Sequence, residues 1–110
     1  PPPAPPPPAP PAPAAAAGSG DIRAIILAAW APLGSATAQW AVRLAQCEST
    51  LNPYAVNRYS GAAGLFQFLA TTWAGTPWRS QSPFDPTANA QAAAWLYSKY
   101  GPNQWSCHPA

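Results

Sequence analysis

Ten of the first thirteen residues are proline and the other three are alanine. Proline fixes φ and lacks an amide donor, so residues 1–13 predict an extended polyproline II spacer without a core. Residues 14–20 continue as an Ala/Gly/Ser hinge. The sequence therefore divides into a disordered Pro/Ala-rich linker, 1–20, and one folding domain, 21–110. Such a domain is small enough that burial alone gives marginal stability. The pair Cys47 and Cys107 at its two ends suggests a disulfide in an oxidising compartment, with two buried free thiols as the alternative.

Charge is sparse. A net charge of +2 without a basic run gives no footprint for nucleic acid. No stretch is long enough to span a membrane and no export leader is visible, so the sequence reads as a processed, secreted chain. The six tryptophans supply the bulk that an alanine-rich domain needs. A few of the aromatic residues are expected to line a groove.

Apolar spacing predicts a first helix over 21–31, carried by Ile22, Ile25, Ile26 and Ala29 and capped by Asp21 or Ser19. A second helix starts near Ser35 or Thr37 and reaches about Ser49. Its polar stripe is Gln39, Arg43 and Gln46, and its apolar stripe is Trp40, Ala41, Leu44 and Ala45. Asn52-Pro53 ends it. Residues 54–61 read as a loop or a short irregular hairpin, and 64–69 as strand or helix. A short helix follows over 70–74. The last helix has clear ends: Asp85 as N-cap, Pro86 at its first position, and Gly101-Pro102 beyond it. The fold class is all-α, α+β at most.

Glu48 is the only glutamate. Four residues after Leu44 and eight after Trp40, it falls on the apolar side of its helix, in the last turn. A carboxyl there meets apolar neighbours and the negative end of the helix dipole, a setting suited to the general acid of glycosidic cleavage. A partly exposed helix-end glutamate without a role is the plain alternative. Asp21 and Asp85 read as helix caps. His108 is the lone histidine, so neither a metal site nor a Ser-His-Asp triad is expected, and no cofactor is implied.

Around Glu48 the sequence resembles a known family. Cys-Glu-Ser-Thr-Leu-Asn-Pro at 47–53, Gly-Ala-Ala-Gly-Leu-Phe-Gln-Phe at 61–68, Thr72-Trp73, and Asp85-Pro86 with Asn89 are similar to the lytic transglycosylase domain of the lysozyme-like superfamily. The likeness covers about 22–107, and the cysteine placement also resembles the resuscitation-promoting factors. It implies a compact lysozyme-like helical domain with a small irregular hairpin near the cleft. Glu48 matches the catalytic glutamate, Ser49 the serine beside it, Gly64 a glycine that lets backbone approach the cleft, and Gln67 a glutamine facing the glycan. The later Ala-Tyr-Asn motif of many members is missing, which leaves Tyr97, Tyr100 or Trp105 for the tyrosine's place; Tyr100 and Trp105 join the candidate substrate-binding set. The implied activity is cleavage of the β-1,4 bond between N-acetylmuramic acid and N-acetylglucosamine in peptidoglycan. The implied setting is the extracytoplasmic cell wall, with glycan strands as partner and the chain acting as a monomer. Hydrolysis of the same bond, and a non-catalytic wall-binding module, are the rival readings. The small number of acids favours a transglycosylase, because glycoside hydrolases usually need two carboxylates.

Overall fold

The computed structural model describes residues 19–109. The proline-rich run 1–13 and most of the expected linker lie outside them. Helix α1, Ser19–Trp30, leads through a 3-10 turn, Ala31–Leu33, into α2, Ser35–Ser49. A short α3, Ala70–Ala74, and a long α4, Pro86–Tyr100, follow, and a second 3-10 turn, Pro102–Gln104, opens the tail. The described residues form no strand longer than isolated bridges. The domain is helical, as the apolar spacing predicts.

Helix α1 starts earlier than expected. Ser19 and Gly20 belong to it, and Asp21 sits in its first turn rather than capping it. An acid there still complements the positive end of the helix dipole. Ile22, Ile26 and Trp30 recur every four residues and are fully buried, placing one face of α1 against both α2 and α4. From α2 the core receives Ala38, Ala41, Leu44 and Ala45. Helix α4 buries more than one stripe: Ala88, Asn89, Ala90, Ala92, Ala93 and Leu96 are all covered. Small side chains let neighbouring backbone close in around it. Along one face of α4, Ala88 and Ala92 are inside, Trp95 is half-buried, and Lys99 is exposed with its ammonium 5.4 Å from the Trp95 ring.

The ends of α4 follow local chemistry. The Asp85 carboxylate accepts from the amides of Thr87 and Ala88 at 2.9 and 3.1 Å. Pro86 opens the helix, and Gly101 closes it at φ 78°, a left-handed value that suits glycine. Helix α2 stops before Asn52-Pro53 instead of at it. Thr50 and Leu51 both take left-handed backbone, φ 54° and 60°, and their amides turn back onto the carbonyls of Gln46 and Ala45.

Aromatic side chains fill the centre. Trp30 stacks on Phe66 at 5.7 Å and touches Tyr97, Trp40 and Trp105 at 5.2, 6.2 and 6.3 Å. Cys47 and Cys107 form a disulfide, which ties the tail to the last turn of α2.

Candidate active site

Three segments build a cleft around Glu48. The end of α2 supplies Glu48, a hairpin spanning about 55–69 supplies one wall, and the tail supplies the other. The cavity holds about 260 Å3 and is lined by Glu48, Asn57, Ser60, Gln67, Gln104, Trp105 and Ser106, among others.

Glu48 is half-buried, less enclosed than its place on the apolar stripe of α2 suggests. It opens onto the cleft, and the tail meets it with a polar group: the Cys107 amide donates to Glu48 Oε2 at 3.1 Å. The disulfide from the adjacent residue Cys47 fixes that amide in place. Trp105 anchors the same tail by donating its indole N–H to the Phe66 carbonyl at 3.0 Å. Beyond it, the Trp40 indole donates to the Pro109 carbonyl at 3.0 Å.

The hairpin is irregular. Antiparallel bridges join Val56 to Ala63 and Ala63 to Phe68, so residues 64–69 are neither helix nor regular strand. Ala63 and Phe68 exchange both backbone bonds, at 2.9 and 3.0 Å, across the tight turn 64–67. Gln67 ends that turn at φ 54°, uncommon for a residue with a side chain. Its amide nitrogen donates to the carbonyls of Ala55 and Gly64 at 3.1 and 2.9 Å. Both amide hydrogens are thus used within the wall, and Gln67 offers the cleft only its oxygen, an acceptor. At the tip the Asn57 side-chain oxygen accepts from the amides of Tyr59 and Ser60 at 2.9 and 3.0 Å, a turn that presents Asn57 and Ser60 to the cavity.

The sequence-predicted residues separate here. Glu48, Gln67 and Trp105 come together in the cleft. Ser49 does not line it: the side chain is buried and its hydroxyl donates to the Ala45 carbonyl at 3.1 Å, within α2. Gly64 does not line it either. It lies at φ 84° against α4, where a Cβ would meet the Pro83 carbonyl at 2.2 Å and Asn89 Nδ2 at 2.3 Å. That glycine lets the hairpin backbone approach α4 rather than the cleft. Tyr100 is 61% exposed at the end of α4, outside the lining residues. Tyr97 points elsewhere too, lining a groove with Trp40 on the far side of the tail.

Asn57, Ser60, Gln104 and Ser106 are cleft residues that the sequence reading passed over. Only the loop composition of 54–61 hinted at the first two. Asn89 carries the wall indirectly. It is fully buried, accepts from the Phe66 amide at 2.9 Å, and donates to the Pro83 carbonyl at 2.8 Å. Among the described residues no carboxylate besides Glu48 lines the cleft. Among the described residues no group of three or more His, Cys, Asp or Glu is placed to hold a metal.

Comparison with known proteins points the same way. The family described as Transglycosylase SLT domain matches residues 28–110. A protein of Staphylococcus epidermidis named "Probable transglycosylase SceD" is 40% identical over 68 residues, covering 57% of this chain and 31% of that protein. Its namesake in Staphylococcus aureus (strain Newman) is 41% identical over 68 residues, with 57% and 29% covered. The chain thus spans less than a third of the length of these curated relatives. No solved structure matches it. With an α2 that ends in Glu48, a hairpin that brings Gln67 to it, and a match running from within α1 to the last residue, the chain belongs to the SLT transglycosylase domain family of the lysozyme-like superfamily.

Proposed function

We propose that this domain cleaves the β-1,4 bond between N-acetylmuramic acid and N-acetylglucosamine in peptidoglycan by transglycosylation, giving a 1,6-anhydro product. The observation that carries this reading is the single carboxylate of the cleft. One acid cannot serve both roles of the usual hydrolytic pair. It can complete an internal transfer.

Glu48 first protonates the glycosidic oxygen, and the N-acetylglucosamine side leaves as an alcohol. Positive charge then develops at the anomeric carbon of the muramic sugar. The Glu48 carboxylate next takes the proton from the C6 hydroxyl of that sugar. The hydroxyl oxygen bonds to the anomeric carbon, and Glu48 ends as it began, protonated. The Cys107 amide on Oε2 keeps one carboxyl oxygen oriented, leaving Oε1 to serve the substrate. Gln67, with only an acceptor to offer, selects a sugar hydroxyl or acetamido N–H. Trp105 closes the opposite wall.

The substrate and the disulfide both suit an oxidising extracytoplasmic site at the cell wall. No helix among the described residues is long and apolar enough to cross a membrane. We assign the residues before α1, 1–18, the role of a spacer that lets the domain reach through the wall.

Mass spectrometry of products from purified peptidoglycan tests the proposal. Anhydro-muramic ends are expected, lighter by one water, about 18 Da, than hydrolytic ends. Hydrated reducing ends alone would make the domain a muramidase. Binding of glycan without cleavage, unchanged in Glu48→Gln, would make it a wall-binding module.

A further inference from the structure

The hairpin beside Glu48 has two working faces. On one arm Ser60 and Ala62 face the cleft, while Gly61 and Ala63 face a second cavity behind it. On the other arm Gln67 and Leu69 face the cleft, and Phe68 and Ala70 face the second cavity. Backbone at the Ala63–Phe68 bridge alternates in this way, and positive φ at Gly61 and Gln67 and the start of α3 at Ala70 carry the alternation beyond it.

The second cavity is the larger, about 670 Å3. Phe68, Trp73 and Phe84 make its walls, and Phe68 meets Trp73 edge-on at 5.1 Å. The Trp73 indole N–H is already spent on the Gln81 carbonyl at 2.9 Å. Arg79 is the one charged residue in the lining. Among the described residues nothing occupies its guanidinium. The chain's acids are committed elsewhere: Glu48 to the cleft, Asp85 to the cap of α4, and Asp21 to the first turn of α1.

We propose, resting on the function argued above, that this cavity receives the peptide stem that peptidoglycan carries on its muramic sugar, with Arg79 pairing with a carboxylate of that stem. The occupant must be partly apolar, must carry a free carboxylate, and must be tethered to a sugar lying across the hairpin. A stem peptide meets all three conditions. An extended peptide covers about 3.4 Å per residue, so a stem of three residues spans about 10 Å. A carboxylate borne directly on the sugar is too short to do so. The pairing makes Arg79 a specificity-determining residue for substrates with intact, acidic stems.

The test uses the full chain and its Arg79→Ala and Arg79→Lys variants on three soluble glycan preparations: stems intact, stem carboxylates amidated, and stems removed. The wild-type chain is expected to prefer intact stems by about tenfold in kcat/KM, the scale of one charge-assisted contact. Arg79→Ala should lose that preference while cutting stem-free glycan at the wild-type rate, and Arg79→Lys should keep part of it. Equal rates of the wild-type chain on all three preparations, or an equal loss on all three in Arg79→Ala, would overturn the assignment. A second arm titrates free stem peptide into isotope-labelled protein. The Trp73 indole signal should shift in wild type and not in Arg79→Ala, and an unmoved wild-type signal also overturns it. Failure to cut any preparation would refute the glycosidic reading instead, and the titration would still decide the cavity.

Discussion

Helices α1, α2 and α4 meet through side chains such as Ile22, Ile26, Leu44 and Ala92, all sealed from water. The walls of the cleft join that core through Leu65, Phe66, Phe68 and Trp105, and add individual polar contacts: Asn89 to Phe66 and Pro83, Trp105 to Phe66, Gln67 to Ala55 and Gly64, and the Cys107 amide to Glu48. Burying one Ile or Leu contributes about 1.5–3 kcal/mol, and the scaffold repeats that many times. A single neutral hydrogen bond contributes about 1 kcal/mol net, but leaving its buried partner unpaired costs more. A change in the scaffold therefore acts on stability as a whole, while a change in one wall contact acts first on the cleft. Stability and activity should prove separable along this line.

The largest expected effect falls on chemistry alone. Glu48→Gln should lower kcat by about a thousandfold, within the range for a general acid. It should leave the melting temperature nearly unchanged, because Glu48 is half-buried and outside the core. Turnover of soluble glycan and a thermal melt on the same sample decide it; retained activity would remove Glu48 from its role.

Next comes the tie between the regions. Cys47→Ser with Cys107→Ser should cost about 4 kcal/mol by the loop-entropy account, since the bridge spans a sequence separation of 60. Amides of the tail should exchange faster at once, while those of α1 and α4 keep relative protection. Uniform loss of protection would show that wall and scaffold are one cooperative unit.

A smaller effect is expected from within the wall. Asn89→Ala should destabilise by about 2–3 kcal/mol, because it strands the Phe66 amide and the Pro83 carbonyl. Activity should fall more than the fraction unfolded explains, as the hairpin loosens. A loss of activity tracking unfolding alone would argue against a distinct wall. Smallest of all, deleting residues 1–13 should change neither stability, within about 0.5 kcal/mol, nor turnover of soluble fragments. A clear loss on those fragments would show that the run packs on the domain.

The scaffold was legible because its signals are periodic or local. Asp85-Pro86 and Gly101 bracket α4 as read, and the even cysteine count led to the bridge that forms. Glu48 stood out by being alone of its kind. The walls were less legible because they rest on contacts between distant residues. Nothing in the order of residues says that Cys107 will donate to Glu48, 59 positions away. Ser49 enters the expected set through the resemblance, yet on a helix adjacent residues face different ways, and its hydroxyl turns inward onto Ala45. Gly64 is expected by the same resemblance to bring backbone to the cleft, whereas its close approach is to Pro83 and Asn89. A fully buried asparagine in a run of alanines was the available clue to that contact. The segment 64–69 defeated periodicity altogether, since positive φ at Gly64 and Gln67 folds it into a turn.

The two-faced hairpin also sets a rule for how this domain can vary. Odd and even positions in its arms answer to different cavities. Inserting or deleting one residue beside the Ala63–Phe68 bridge would exchange the linings next to it. Phe68 would then turn toward the cleft. Length changes there can be accepted at the tip, or in pairs within the arms, so this segment keeps a parity that its individual side chains do not reveal.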